Sequence, residues 1–266
     1  MIGERHEGRV TRAVNGTIGL VTLDRPHIRN ALDGPLISGL REAMSEMDAH
    51  PDVRAIVLTG SDPAFCAGFD LKALGARDPF LVAEIGVPSH PPWPPTRKPV
   101  VGAVNGPAVT GGLELVLACD LLVASDRATF ADTHGRVGVM PGWEMTVRLS
   151  AAVGRRTATW MSLSGTPLSA AEAKDAGLVL RVVPHADLMA VAFEVAGAVA
   201  ASDPAAVEVL LDVYRRTEGD VWDAGLARET LAAQSWRARG VDYAVVEQKR
   251  AEVIAAGRQQ HEQARG

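Results

Sequence analysis

Val100-Val101-Gly102-Ala103-Val104-Asn105-Gly106-Pro107-Ala108-Val109-Thr110-Gly111-Gly112-Leu113-Glu114-Leu115-Val116-Leu117-Ala118 is the stretch whose reading decides the fold. Val100 to Val104 is a short apolar run, which reads as a buried strand. Asn105-Gly106-Pro107 breaks it, and Thr110 to Ala118 reads as a buried helix. Leu121 to Ala124 is another strand, with Thr129-Phe130 a short extended piece. Upstream, Val10 to Val14 and Thr17 to Leu23 flank Asn15-Gly16, a strong hairpin signal. Asp33 to Ala49 reads as an amphipathic helix, Arg54 to Thr59 as a buried strand, and Phe80 to Gly86 as a short helix. Pro88 to Pro99 holds six prolines, too many for a helix or a central strand, so it is expected as an irregular loop.

Leu178 to Val183 looks like the last strand. Strands alternating with helices argue for an α/β core with largely parallel pairing. After about Asp187 the pattern is only helical: Leu188 to Ala201, Pro204 to Arg216, Val221 to Arg237 and Tyr243 to Ala256. The expected organisation is an α/β core over 1–200 and a helical region over 201–266.

With 266 residues, 47% of them hydrophobic, the chain is long enough to bury a sizeable core without staples. A net charge of −5 argues against a nucleic-acid footprint, though local amides and a few arginines can still bind an anion. Two cysteines, Cys66 and Cys119, fit a reducing compartment rather than a disulfide framework. Met1 to Val10 has no apolar signal core, and no uncharged apolar run is long enough to span a bilayer. The expectation is a cytoplasmic protein with neither a membrane nor a nucleic-acid partner. Gly-x-Ser-x-Gly, P-loop, His-Glu-x-x-His and Cys-x-x-Cys patterns are missing, so no metal site is expected and the serine-hydrolase and nucleotide-hydrolysing readings have no support.

Two segments carry one device, a buried strand, a glycine-containing turn and the start of a helix. One is Ala64-Phe65-Cys66-Ala67-Gly68-Phe69-Asp70-Leu71; the other is Val104 to Glu114. Small residues let a ligand approach the backbone, and amides at a helix start are unpaired. If two such amides converge on one oxygen they form an oxyanion hole. Periodicity alone leaves open two ordinary strand-to-helix turns.

The residue strings themselves go further. Leu23-Asp24-Arg25-Pro26 with Arg29-Asn30-Ala31-Leu32, the two glycine blocks, Lys98-Pro99-Val100, Cys119-Asp120, Val137-Gly138-Val139-Met140-Pro141-Gly142, Ala170-Ala171-Glu172-Ala173, Gly177-Leu178-Val179 and Val182-Val183-Pro184 run in one order over most of the chain. In these blocks the chain resembles the crotonase (enoyl-CoA hydratase/isomerase) superfamily. The resemblance implies a crotonase-like spiral core of repeated ββα units and a helical C-terminal region that builds a homotrimer, often paired into a hexamer. It implies an acyl-CoA substrate, with coenzyme A part of that substrate and no separate cofactor. The thioester oxygen would lie between the amides of Phe69 and Gly111, beside Gly68 and Gly112. His27, Arg29, Ala31, Ala67, Asp70 and Leu71 would cradle the nucleotide and pantetheine.

Glu114 is three residues past Gly111, among apolar neighbours that would raise its pKa. Hydratases of the superfamily carry a second glutamate where this chain has His134. That histidine either acts as general base on water, leaving Glu114 to move the proton at C2, or is structural in a member that no longer hydrates. Asp132 would orient the imidazole if the segment is extended; otherwise it is a solvated loop residue. Glu144 either restores a second carboxylate or is a first-turn glutamate favoured by the helix dipole. Trp143, with His90 and Trp93 of the proline-rich loop, either lines the acyl pocket or belongs to a packed surface loop. The leading expectation is an enoyl-CoA hydratase. Its rivals are isomerisation with Glu114 as single base, another crotonase-type acyl-CoA reaction, and an acyl-CoA binder that has lost turnover.

Overall fold

Period-two alternation in the central strands determines how the layers stack. Ile56 and Leu58 pack on one side of the sheet, while Ala55 and Val57 pack on the other. Val100 and Val104 alternate in the same way with Val101 and Ala103. Both faces are therefore buried, which is why these strands read as continuous apolar runs.

The computed structural model describes residues 5–7, 9–84, 90–239 and 249. In chain order the elements are β1 (Arg5–Glu7), β2 (Val10–Asn15), β3 (Ile18–Leu23), α1 (Gly34–Ala49), β4 (Ala55–Gly60), α2 (Leu71–Gly75), α3 (Pro79–Glu84), β5 (Val100–Val104), β6 (Ala108–Val109) and α4 (Gly111–Leu117). They continue with β7 (Leu121–Ser125), β8 (Thr129–Ala131), α5 (His134–Val137), α6 (Met145–Ser164), β9 (Leu168–Ser169), α7 (Ala170–Asp175), β10 (Arg181–Val183), α8 (Leu188–Ala200) and α9 (Pro204–Ala238). The main sheet runs β1-β2-β3-β4-β5-β7-β10, antiparallel through β3 and parallel from there. A small sheet, β6-β8-β9, stands beside it.

Helix α1 begins at Asp33, whose side chain accepts from the Leu36 amide, relieving one of the first-turn donors. Its stripe of Leu36, Ile37, Leu40, Met44 and Met47 packs into the larger core cluster. The opposite face of the sheet is covered by Leu188, Ala192, Val195, Ala196 and Ala200 of α8.

Parallel strands β4 and β5 end side by side, and the two glycine blocks leave from those ends. Isolated bridges Leu32↔Phe69 and Cys66↔Ala108 then lay three chain segments against one another. This is the step that turns two separate sequence blocks into one site.

Several expectations are corrected. The segments Pro204 to Arg216 and Val221 to Arg237 form one helix, α9. The residues between them, Thr217-Glu218-Gly219-Asp220, carry a single glycine, and one glycine costs only about 1 kcal/mol in a helix interior. The segment after β8 does not stay extended, because His134 opens the short helix α5. Strands β1, β6 and β9 and helices α2, α6 and α7 are additional. The expected helix Tyr243 to Ala256, apart from residue 249, and Gly86 and Pro88 of the shorter helix and loop, lie outside the described residues.

Candidate active site

The first block is held in place by Asn30. Its side chain accepts from the Arg25 amide at 2.8 Å and donates to the carbonyls of Ser61, Ala64 and Phe65 at 2.8, 2.8 and 3.2 Å. Asn30 sits at φ 55°, a left-handed conformation that asparagine tolerates better than most residues. Arg25 adds a second tie, donating to Ala31 O at 2.9 Å and pairing with Asp70 at 3.0 Å and Asp33 at 3.1 Å. Asp70 in turn caps α2 by accepting from Lys72 and Ala73. Sequence reading assigns no role to the Asn30 or Arg25 side chain, because a left-handed backbone leaves no periodic trace.

The two blocks touch through their glycines. Gly68 has φ +83°, and a Cβ there would lie 2.7 Å from Val109 O and 3.3 Å from Gly111 N. A Cβ on Gly112 would lie 2.1 Å from Cys66 O. Only glycine permits that approach. It brings the amides of Phe69 and Gly111 together, and among the described residues neither amide donates to an acceptor. The preceding residue, Thr110, is strained, at φ 53° and ψ −109°. For a β-branched residue this costs on the order of 1–3 kcal/mol. Three bonds hold it: its amide donates to Ala131 O at 2.8 Å, its hydroxyl meets Thr133 Oγ1 at 2.5 Å, and its Oγ1 accepts from Thr133 N at 3.2 Å.

Glu114 is fully buried on α4. Its Oε1 accepts from the amides of Trp143 at 2.9 Å and Gly142 at 3.3 Å, while its Oε2 is buried without a hydrogen-bond partner. Burial lifts the carboxyl to about 7, with the His134 charge and the Trp143 amide pulling the other way. His134 Nε2 faces this oxygen at 3.9 Å. The other ring nitrogen, Nδ1, donates to Asp132 Oδ1 at 2.7 Å, and the same oxygen accepts from the His134 amide at 3.1 Å. Burial alone would lower the imidazole pKa, but the Asp132 hydrogen bond and the nearby charges outweigh it, so the value is raised. Asp132 is only 2% exposed; burial pushes its carboxyl up, yet its bonds to His134 and Ser162 hold it below its ordinary value. It is not a solvated loop residue. It reaches His134 through the turn that starts α5, not along an extended strand.

Phe69, Gly111, Glu114, His134 and Trp143 therefore meet at one place. Glu144 is buried next to Trp143. It sits at φ 64° before α6 and pairs with Arg148, with Arg148 Nε at 2.7 Å from Oε2. Of the expected cradle, His27 and Arg29 are exposed on the surface and Ala67 N–H donates to Arg29 O at 3.0 Å. Ala31 and Leu71 are half-buried beside them. Cys66 is buried, its thiol pushed up to about 12 by desolvation, so it is no nucleophile.

The Trp143 ring lies 5.2 Å from that of Phe69, and its Nε1–H donates to Glu84 Oε1 at 3.0 Å. Glu84 also pairs with Arg41 and lies 3.4 Å from His90 Nε2. Trp93 is buried in the core. Glu84 is not legible in the sequence, where nothing marks a glutamate ending a short helix as a tether.

The site can do a definite set of things. Two free amides can stabilise an oxyanion, a carboxyl near neutrality can give or take a proton, and an imidazole fixed by Asp132 presents Nε2 as a base. Residues 13–237 match the family model described as enoyl-CoA hydratase/isomerase. The probable peroxisomal enoyl-CoA hydratase 1 of Arabidopsis thaliana is 37% identical over 70% of this chain and 70% of its own length. The probable enoyl-CoA hydratase of Rhizobium meliloti (strain 1021) is 40% identical over 76% of this chain and 80% of its own. The solved enoyl-CoA hydratase of Mycobacterium smegmatis superposes with a TM-score of 0.79 at 43% identity, covering 86% of this chain and 98% of that one. The fold is the crotonase fold expected from the sequence, and the chain belongs to the enoyl-CoA hydratase/isomerase family.

Proposed function

We propose that the protein is an acyl-CoA lyase that adds water across the C2–C3 double bond of an enoyl-CoA. The observation that carries this reading is the facing pair Glu114 Oε2 and His134 Nε2, 3.9 Å apart. With Nδ1 donating to Asp132, Nε2 bears a lone pair that can accept from water, and Oε2, which has no hydrogen-bond partner among the described residues, is the oxygen that carries the carboxyl proton.

In the reaction, the amides of Phe69 and Gly111 hold the thioester oxygen as enolate charge builds on it. His134 Nε2 takes a proton from water as the water oxygen bonds to C3. Glu114, protonated in part because burial places its carboxyl near 7, gives its proton to C2. The cycle closes when the imidazolium returns a proton to the Glu114 carboxylate. Asp132 positions the ring and stabilises its positive charge. Coenzyme A enters as part of the substrate, and no separate cofactor takes part.

Isomerisation remains the second reading, since a single unpartnered oxygen on Glu114 suffices to shuttle a proton from C2 to C4. An oriented Asp132–His134 pair has no task in that reaction, which favours hydration. Turnover by wild type and Glu114→Ala on the same acyl-CoA separates a catalyst from a binder; equal rates would sink every catalytic reading.

The protein is further proposed to act as a homotrimer or hexamer in the cytoplasm. Trp160 and Leu163 on α6, and Val209, Leu210, Val213 and Tyr214 on α9, are large apolar side chains left exposed, more than a surface face of a monomer usually shows. No single helix among the described residues is long and apolar enough to cross a membrane, and both cysteines are unpaired. Sedimentation velocity should give a trimer or its multiple, and a monomer at micromolar concentration would refute the assembly.

A further inference from the structure

We propose that Glu229 of α9 is a positioning residue for Glu114, because it fixes the segment whose amides hold the Glu114 carboxyl. This rests on the catalytic reading of Glu114 above and adds to it a residue from the helical region that follows the core. Glu114 Oε1 accepts from the amides of Gly142 at 3.3 Å and Trp143 at 2.9 Å, which leaves Oε2 as the oxygen facing His134. Gly142 and Trp143 lie between α5 and α6, in a stretch from Gly138 to Glu144 that is neither helix nor strand. Its middle is tied by His90 N–H, 3.1 Å from Gly142 O, and by the Trp143 indole on Glu84. Both of its ends are tied to α9. At one end Trp236 Nε1–H donates to Gly138 O at 3.0 Å. At the other, Glu229 Oε2 accepts from Thr146 N–H at 2.8 Å and from the Thr146 hydroxyl.

Thr146 is the second residue of α6, so its amide is among the donors that a helix start leaves unpaired. The side chain at the N-cap usually accepts from such an amide. Here the cap is Glu144, at φ 64° and ψ 22°, and its side chain makes no cap hydrogen bond. Glu229 takes that place from another helix, and a negative charge at the start of α6 is favoured by the helix dipole. The residue is only 4% exposed, so removing its carboxylate strands donors that water reaches poorly. The two helices are close enough for this contact because position 225 is glycine. A Cβ there would lie 2.6 Å from Val147 Cγ1. Gly225, Glu229 and Trp236 fall on one face of α9, and that face lies against the segment that holds Glu114. Glu229 is also near the reacting pair: burial is the largest influence on both Glu114 and His134, and the Glu229 charge pushes each of them upward.

The test compares Glu229→Ala, Glu229→Asp and Glu229→Gln with wild type on crotonyl-CoA. Glutamine keeps the reach and an acceptor for the Thr146 amide, whereas aspartate keeps the charge and falls one methylene short. Glu229→Ala should lower kcat about tenfold or more, with KM changed less than about threefold, as expected for a misplaced catalytic group. Glu229→Asp should lose at least threefold in kcat, and Glu229→Gln should stay within twofold of wild type. Wild-type kcat in Glu229→Ala, or a loss in Glu229→Gln as deep as in Glu229→Ala, overturns the proposal. Amide hydrogen exchange at Gly142 and Trp143, read by mass spectrometry of the peptides that span them, separates this from failure of the hydratase reading. It should quicken at least tenfold in Glu229→Ala and not in Glu229→Gln, while β4 and β5 keep their wild-type rates. If no enoyl-CoA is turned over yet exchange rises in this way, the positioning stands and only the reaction is wrong. Unchanged exchange at Gly142 and Trp143, or an equal rise through β4 and β5, overturns it regardless of turnover. Because Glu229→Ala removes a buried acceptor and can unfold the chain, Glu229→Asp against Glu229→Gln decides, by the same two readouts, if the alanine protein does not fold.

Discussion

Replacing Glu114 by glutamine should make the protein more stable as well as inactive, and the gain should depend on pH. Burial lifts the Glu114 carboxyl from 4.5 to about 7 in the folded state. At 1.36 kcal/mol per pKa unit this corresponds to roughly 3 kcal/mol. The folded chain holds this proton more tightly than the unfolded chain, so ionisation works against folding. The penalty is absent below about pH 4.5, grows between there and 7, and is complete above 7. Glutamine carries no charge at any pH, and its carbonyl can still accept from the Gly142 and Trp143 amides. Loss of attraction to a charged His134 trims the gain. The variant should therefore melt close to wild type at pH 5 and about 5–10 °C above it at pH 8, taking 2–4 °C per kcal/mol for a chain of this size. Differential scanning fluorimetry at pH 5, 6, 7 and 8, with hydration rates measured in parallel, checks it. An offset that does not change with pH, or a variant less stable at pH 8, would refute a desolvated carboxylate at position 114.

Asp132→Asn should lower kcat by about 10²-fold or more with little change in KM, because an amide in place of the carboxylate can donate to Nδ1 and put the ring proton on Nε2. Asp132 also helps raise the His134 pKa, and a base must be deprotonated to act. The acid limb of the rate profile should accordingly move to lower pH in this variant; an unmoved limb would remove His134 as the base. Thr133→Val should cost about tenfold in kcat, with KM nearly unchanged and Thr133→Ser restoring the rate. Its hydroxyl holds the strained Thr110 backbone directly ahead of the Gly111 amide, where oxyanion donors are worth 10²–10³ when lost outright. Unaltered kcat in Thr133→Val would mean that the hydroxyl pair only packs.

The parts of this site that the sequence discloses are those with local pattern or family spelling. Continuous apolar runs at Arg54 to Thr59 and Val100 to Val104 announce strands buried on both faces, and the crossover between Val104 and Leu121 announces parallel pairing. The two glycine blocks are visible as blocks, but their convergence depends on Leu32 bridging Phe69 and Cys66 bridging Ala108. Those are contacts between distant segments that no window of sequence contains. Positive φ at Asn30 and Thr110 is equally silent, since any residue can be spelled there and only the fold forces the conformation. Neighbours in sequence leave Asp132 undecided, whereas in the fold it is buried and hydrogen-bonded to His134 and to Ser162 on α6. Glu144 reads as a candidate pocket acid because it follows Trp143, but a left-handed backbone at 144 turns its side chain toward Arg148. The gap at 217–220 closes for a simple reason: the weak penalty of one glycine, Gly219, is outweighed within a helix as long as α9.

The central claim is that Glu114 and His134 together place water on a C2–C3 double bond. The most direct measurement offers crotonyl-CoA and a 3-enoyl-CoA in parallel to wild type and His134→Ala, following conjugated-thioester absorbance and product mass. The account predicts loss of crotonyl-CoA conjugation with gain of one water by wild type, reduced about 10²-fold or more in His134→Ala. Hydration undiminished in His134→Ala, or conversion of the 3-enoyl-CoA without mass change while crotonyl-CoA stays untouched, would contradict it.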